Sequence, residues 1–308
     1  MAWPFTAVAI ALAPSKGIRL ICVNRRDYAD TTLFSAEELG IIANGDKEAR
    51  LNFIKERALE YSTLVTELIE KYSIPAPDVD KTRGGIALMG WSFGNTVPLG
   101  IASAIETYPP SIKEILQKYL IKIIIHNAPA VALGIPHPSD TKTYPPYADP
   151  NIPPEKREDA FMHWASGYFD NGDLSLQNVH ALPYDVFPTE TTFAHMSIDE
   201  RASTVDSRPM FRSETILGGR FQNEFLEQTR RTLCDHTLRV SLPLMEVRLL
   251  YGDSVSWSIV YAVWEVEKMA READVRTVES IVLNGKNTFM FWDHPDESLN
   301  ALVSLCQK

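Results

Sequence analysis

A chain of 308 residues with 45% hydrophobic content can bury a full core, as one large domain or as a domain carrying an insertion. The net charge is −10, from 30 basic and 40 acidic residues, and no stretch concentrates lysine and arginine, which argues against nucleic acid or an anionic membrane surface as partner. Cys22, Cys234 and Cys306 are few, odd in number and without ligand spacing, so reduced thiols in a cytoplasmic protein are expected and no metal site is suggested.

No apolar run approaches the ~18 residues needed to cross a bilayer, so no membrane partner is expected. Met1 to Pro14 resembles a signal-peptide core but carries no basic residue ahead of its apolar part. Trp3 to Ala13 therefore reads as a short buried helix, ended by Pro14 and Gly17. Ile18 to Val23 is strand-like, and Asn24 to Tyr28 follows as a polar loop. Ser35 and Glu38 form a capping-box pair ahead of a helix that Asn44-Gly45 breaks. A long amphipathic helix is predicted from about Lys47 to Tyr72, with Leu51, Ile54, Leu59, Leu64 and Leu68 on one broad face.

Pro75 and Pro77 close that helix, and Gly85 to Met89 is a short apolar run of buried-strand type. Residues 95–108 carry Val97, Ile101, Ala102 and Ile105 at helical spacing, although Pro98 removes a hydrogen bond there. Pro110 starts another helix to about Tyr119, and Ile121 to Ile125 is again nearly continuous in apolar residues. Strands that are apolar throughout, alternating with helices, indicate an α/β fold whose mainly parallel sheet is covered by helices on both faces.

The alternation then stops. Seven of the twenty prolines fall between Pro136 and Pro154, a density that no regular element survives. Helical pieces rich in aromatics follow to about His236, including Phe161, Trp164, Tyr168 and Phe169. A helical lid over residues 136–240 is expected, inserted between core segments 1–135 and 241–308. The core pattern returns with the strand Val247 to Tyr251, a helix from about Ser256 to Glu272 and the strand Val278 to Leu283. The loop Asn284 to Phe291 leads to a last helix near Pro295, with Asp293 or His294 as its cap.

Gly90-Trp91-Ser92-Phe93-Gly94 lies between a strand and a helix. A glycine on each side of the serine suits a turn so sharp that side chains at 90 and 94 would collide and the serine is forced into strained φ/ψ. Such a turn holds the hydroxyl at a helix N-terminus, where amides favour developing negative charge. Ser92 is the candidate nucleophile. Asp253, directly after a buried strand, is the candidate acid, although an aspartate after Gly252 also suits an ordinary turn.

These motifs, with Gly285-Lys286-Asn287-Thr288-Phe289-Met290-Phe291-Trp292-Asp293-His294-Pro295, resemble the α/β-hydrolase fold family across essentially the whole chain, and within it the fungal members of the α/β hydrolase-1 group. The resemblance implies a serine, an acid and a histidine acting in that chain order, with the main-chain N–H of Phe93 as one oxyanion donor. Where the family has histidine this chain has Thr288, which cannot accept a proton near neutral pH. His294, six residues on, is the nearest replacement, and its place at a helix start also suits a cap or surface role. His126, at a strand end, could face the site or serve the core. The five strands expected here are three fewer than the family's eight. The strand missing between 18–23 and 85–89 would be central, so those two either pair directly or leave backbone groups unsatisfied. The count suggests a shortened chain, with a start assigned too late.

The expected function is that of a serine hydrolase acting on a small uncharged ester, lactone or related carbonyl substrate, with no cofactor. The rival reading is a catalytically impaired member of the same fold that binds a small ligand or partner under its lid.

Overall fold

A computed structural model describes residues 4–138, 146–206, 208–273 and 278–307. Trp3, where the first helix was expected to start, lies outside the described residues, as do 139–145 of the proline-rich stretch. Four strands form one parallel sheet in the order β1 (Ile86–Trp91), β2 (Leu120–His126), β3 (Glu246–Gly252) and β4 (Glu279–Leu283). Trp91 stands opposite His126, and His126 opposite Leu250, so the C-terminal ends of the first three strands are level.

Helices lie on both faces. Ahead of the sheet come α1 (Pro4–Leu12), α2 (Ala36–Asn44) and α3 (Lys47–Lys71). The N-terminus of α2 has its full capping box: Glu38 N donates to Ser35 Oγ at 3.1 Å and Ser35 N donates to Glu38 Oε2 at 2.7 Å. Such a cap is worth about 1 kcal/mol. Asp46 caps α3 by accepting from Ala49 N at 2.9 Å. Between β1 and β2 lie α4 (Thr96–Ser103) and α5 (Pro110–Tyr119). Pro98 is accommodated because Ser92–Asn95 forms a 3-10 turn and α4 starts only at Thr96. The proline thus falls in the first turn of the α-helix, where its missing N–H costs least.

The stretch between β2 and β3 carries α6 (Arg157–Ala165), α7 (Thr192–His195), α8 (Ile198–Thr204), α9 (Thr215–Arg220), α10 (Gln222–Cys234) and α11 (His236–Ser241). An isolated antiparallel bridge joins Gly167 to Thr191. After β3 come α12 (Trp257–Glu272), then β4, α13 (Met290–Asp293) and α14 (Pro295–Gln307).

The apolar runs follow from burial on both faces. Ile123 and Ile125 point into a layer shared with Val65, Leu99 and Val260, while Ile124 points into a layer with Ala9, Leu299 and Leu302. Each fully buried isoleucine contributes about 1.5–3 kcal/mol. Besides His126 at its end, β2 buries Lys122, 1% exposed, whose Nζ donates to Glu246 Oε2 on β3 at 2.6 Å. Lys81 and Arg248 meet the same carboxylate.

One expected strand does not form. Ile18 to Val23 belongs to no sheet, and among the described residues no backbone hydrogen bond ties residues 19–21 to β1. The segment has the right side chains for a strand but is assigned to no ladder among the described residues, and both it and β1 line the same cavity. A strand is defined by its pairing and not by its composition alone.

Candidate functional site

The turn at Ser92 is as sharp as its glycines suggest. Ser92 has φ +53°, a left-handed conformation that costs a non-glycine residue roughly 1–3 kcal/mol. A Cβ on Gly90 would stand 2.4 Å from Asn95 Cα, so the start of the following helix needs a glycine beneath it. A Cβ on Gly94 would instead meet the Arg25 guanidinium, at 2.6 Å from its Nη1. The two glycines therefore answer to different neighbours rather than to each other.

Asn95, fully buried, holds the turn in place and was not foreseen. Its Nδ2 donates to Ser92 O at 2.7 Å and to His126 O at 3.0 Å, while its Oδ1 accepts from His126 N at 3.1 Å. One side chain thus fastens the elbow to the end of β2. The signal available beforehand was an asparagine just past the second glycine, at a helix start. Phe93 N–H lies in the first turn after Ser92, where amides have no intrahelical acceptor. Its ring is edge-on to Phe225, with centroids 5.9 Å apart.

Ser92 opens on a cavity of about 930 Å³. Around the serine it is lined by Arg25, Tyr28, Phe161, Met162, Glu214 and Thr288, and from there it runs down the length of β1. Arg25 pairs with Glu214 and donates to Tyr28 Oη at 3.1 Å. Burial works against its charge, but the charge of Glu214 and the hydrogen bond to it outweigh that and raise Arg25 above its ordinary value. Burial also pushes the Tyr28 phenol up, so the cluster holds a paired cation and a neutral phenol near the serine.

The other expected site residues are distributed differently. Thr288 lines the cavity, and its carbonyl accepts from Trp91 Nε1 at 3.0 Å and Asn127 Nδ2 at 3.5 Å. His294 does not line it. The residue joins α13 to α14, donating its N–H to Met290 O at 2.8 Å and accepting from Ser298 N at 3.0 Å. Asp253 follows β3, two strands from β1, and its Oδ1 accepts from Gly285 N at 2.6 Å. It too is absent from the cavity wall. Among the described residues no hydrogen bond reaches the Ser92 hydroxyl.

His126 serves the core. Its Nδ1 lies 3.0 Å from Leu250 O, so that nitrogen carries the proton and donates. Nε2 is buried without a hydrogen-bond partner among the described residues, and the ring stands edge-on to Phe291. Desolvation lowers its pKa to about 4, the backbone bond opposing only in part, so the ring is neutral at physiological pH.

Two further residues fix the loop that carries Thr288. Buried Asn287 donates to Ser166 O at 2.6 Å and Thr192 Oγ1 at 2.7 Å, and its Oδ1 accepts from Phe289 N at 2.8 Å. Asp293 accepts from Tyr168 Oη at 2.6 Å and from Thr192 Oγ1. Burial and the nearby Asp293 raise the Tyr168 phenol, which stays a donor. Sequence offered only the spacing of Asn287 and Asp293 around Thr288; their partners lie about a hundred residues away.

Among the described residues no group of three His, Cys, Asp or Glu side chains could hold a metal ion, and no helix is long and apolar enough to cross a membrane.

No protein-family model matches the chain, and no curated protein sequence matches it. Among solved structures, the chain is similar to bromoperoxidase from Bacillus anthracis, at 14% identity and a TM-score of 0.45 over 99% of this chain and 87% of that one. It is similar to the thioesterase domain from the curacin biosynthetic pathway, at 13% identity and a TM-score of 0.37 over 82% and 73%. It is also similar to epoxide hydrolase A from Mycobacterium thermoresistibile, at 13% identity and a TM-score of 0.34 over 71% and 68%.

Proposed function

We propose that the chain is a serine hydrolase of the α/β-hydrolase class, near the fungal members of the α/β hydrolase-1 group, acting on a small uncharged ester, lactone or related carbonyl compound. The observation that carries this reading is Ser92 in a left-handed turn at the mouth of a largely apolar cavity. Holding a serine at φ +53° costs stability, and strain of that kind collects where a side chain must be presented to a ligand. Arg25 and Glu214, two of the charged groups lining the cavity, are paired with each other, and Asp206 is paired with Arg208, which favours an uncharged substrate.

In this reading Ser92 Oγ bonds to the carbonyl carbon, Phe93 N–H steadies the oxyanion, and the leaving alkoxide takes the serine proton. Water then reverses the same steps and releases the acid. Asp253 is the family's acid, and residues 136–240 form the lid, contributing Phe161, Met162 and Glu214 to the cavity wall. Three cysteines outside any disulfide among the described residues suit a cytoplasmic setting. The weak point is the base. Thr288 stands where an imidazole is needed, and His294 is held by main-chain bonds at the junction of two helices.

Thr288 in the cavity wall favours a second reading, in which the chain binds such a ligand without turning it over. Labelling with a fluorophosphonate, read by mass spectrometry at Ser92, separates the two. Hydrolysis predicts slow labelling of the natural chain, its loss in Ser92→Ala, and a rise of about a hundredfold or more in Thr288→His. No labelling at Ser92 in either the natural chain or Thr288→His would leave only the binding reading. Strong labelling lost in His294→Ala would make His294 the base.

A further inference from the structure

A second pocket, of about 80 Å³, lies between α3, α4 and α10 and shares the Arg25 and Phe93 walls with the Ser92 cavity. Its walls carry Phe53 and Ala58 of α3, Thr96 and Gly100 of α4, and Phe225 and Gln228 of α10. Gln228 is 4% exposed. Its Nε2 donates to Thr96 O at 3.3 Å, which leaves Oε1 as the acceptor, and that oxygen is buried with no hydrogen-bond partner among the described residues. A Cβ on Gly100 would stand 3.5 Å from Oε1 and 3.8 Å from Ala58 Cβ, so the oxygen looks onto the space that Gly100 and Ala58 line. Both are ordinary contact distances. Alanine would therefore fit at position 100 and suit a helix interior better than glycine, and what the glycine preserves is the volume of the pocket. The charged side chains in the wall are already in ion pairs: Arg25 with Glu214, Arg26 with Glu60 and Arg57 with Glu38.

We propose that this pocket is a second ligand site, which takes a short aliphatic alcohol and holds its hydroxyl on Gln228 Oε1. The hydrogen bond follows from the orphaned oxygen, because a buried amide carbonyl without a donor is costly and native interiors supply one. The neutral charge follows from the ion pairs, since a protonated amine or a carboxylate would enter without a counter-ion. The apolar body follows from the phenylalanine walls. The size follows from the volume. One buried water needs only about 10–15 Å³ and an apolar cavity of about 150 Å³ takes benzene, so the space suits roughly three or four heavy atoms. An ester offers acceptors only and leaves Oε1 unanswered. The pocket therefore disfavours the substrate proposed for Ser92 and, where that hydrolase reading holds, accepts the alcohol released from it.

The test is a titration of the full chain with 2-propanol and with acetone, read by the chemical shifts of the Gly100 amide and the Gln228 side-chain amide. The two probes match in size and differ in the hydroxyl donor. The alcohol should give a saturable shift with a midpoint of about 1–50 mM, and acetone should bind at least about tenfold more weakly. Gln228→Met, followed at Gly100, keeps the side-chain length without the acceptor and should weaken 2-propanol binding about tenfold or more. Gly100→Ala, followed at the Gln228 side chain, should do the same by filling the space. Ser92→Ala should bind 2-propanol as the natural chain does, which separates failure of this site from failure of the hydrolase reading. Linear, unsaturated shifts with 2-propanol on the natural chain, as a pocket holding only water would give, would overturn the proposal. So would equal midpoints for the two probes, or unchanged binding in Gln228→Met.

Discussion

The two flanks of β1 differ sharply in how they are packed. On one flank lies β2, buried at all seven positions, paired on both edges and packed into two apolar layers. On the other lies a cavity and an extended segment with Ile21 39% and Val23 48% exposed. β1 itself is fully buried only at Gly90. The two flanks carry similar apolar side chains, so composition does not separate them. What separates them is whether the backbone has found a partner. Paired backbone lets side chains close over both faces, and an unpaired edge leaves even strongly apolar residues half in solvent.

A large effect should come from the buried charge on the well-packed flank. Lys122 depends on Glu246, and Glu246→Gln should cost about 2–4 kcal/mol in urea unfolding by leaving an ammonium buried and unpaired. Lys122→Met should be near neutral or stabilising. The carboxylate also sets an acid limit. Burial alone would raise its pKa, but the hydrogen bonds from Lys122 and Lys81 and the charges of Lys122 and Arg248 together hold it below 4.5. Its contribution is thus present above about pH 4.5 and lost as pH falls through the depressed value, a loss that Glu246→Gln should not show. A natural chain and a Glu246→Gln variant with parallel pH profiles would remove this ion pair from the account.

A paired truncation measures the contrast between flanks directly. Ile124→Ala on β2, fully buried, should cost about 2–5 kcal/mol, and Leu88→Ala on β1, half-buried beside the cavity, about 1 kcal/mol. Equal costs would mean that β1 is as tightly packed as β2, and the contrast would fail.

The smallest effect is a gain. Ser92→Gly relieves the left-handed strain at φ +53° and should stabilise the chain by about 0.5–1 kcal/mol while removing the hydroxyl. A loss of stability instead would show that the Ser92 side chain carries packing of its own.

Sequence alone determined what depends on neighbours a few residues away. The capping box at Ser35 and Glu38, the strand–turn–helix around Ser92 and the helix starts at Pro110 and Pro295 each rest on interactions of that range, so their signals sit side by side in the chain. The apolar run of β2 was legible for a related reason, since burial on both faces leaves little need for polar positions.

Tertiary structure decided everything that required a partner from far along the chain. Ile18 to Val23 has strand composition and no ladder, because pairing is a property of two segments and not of one. Asn95 fastens the elbow to His126, 31 residues on, and His126 donates to a carbonyl 124 residues away while burial keeps its ring neutral. Asn287 is oriented by Ser166 and Thr192 in the helical stretch. Contacts of this range depend on how the whole chain closes on itself, and no local pattern of residues records which groups the closure brings together.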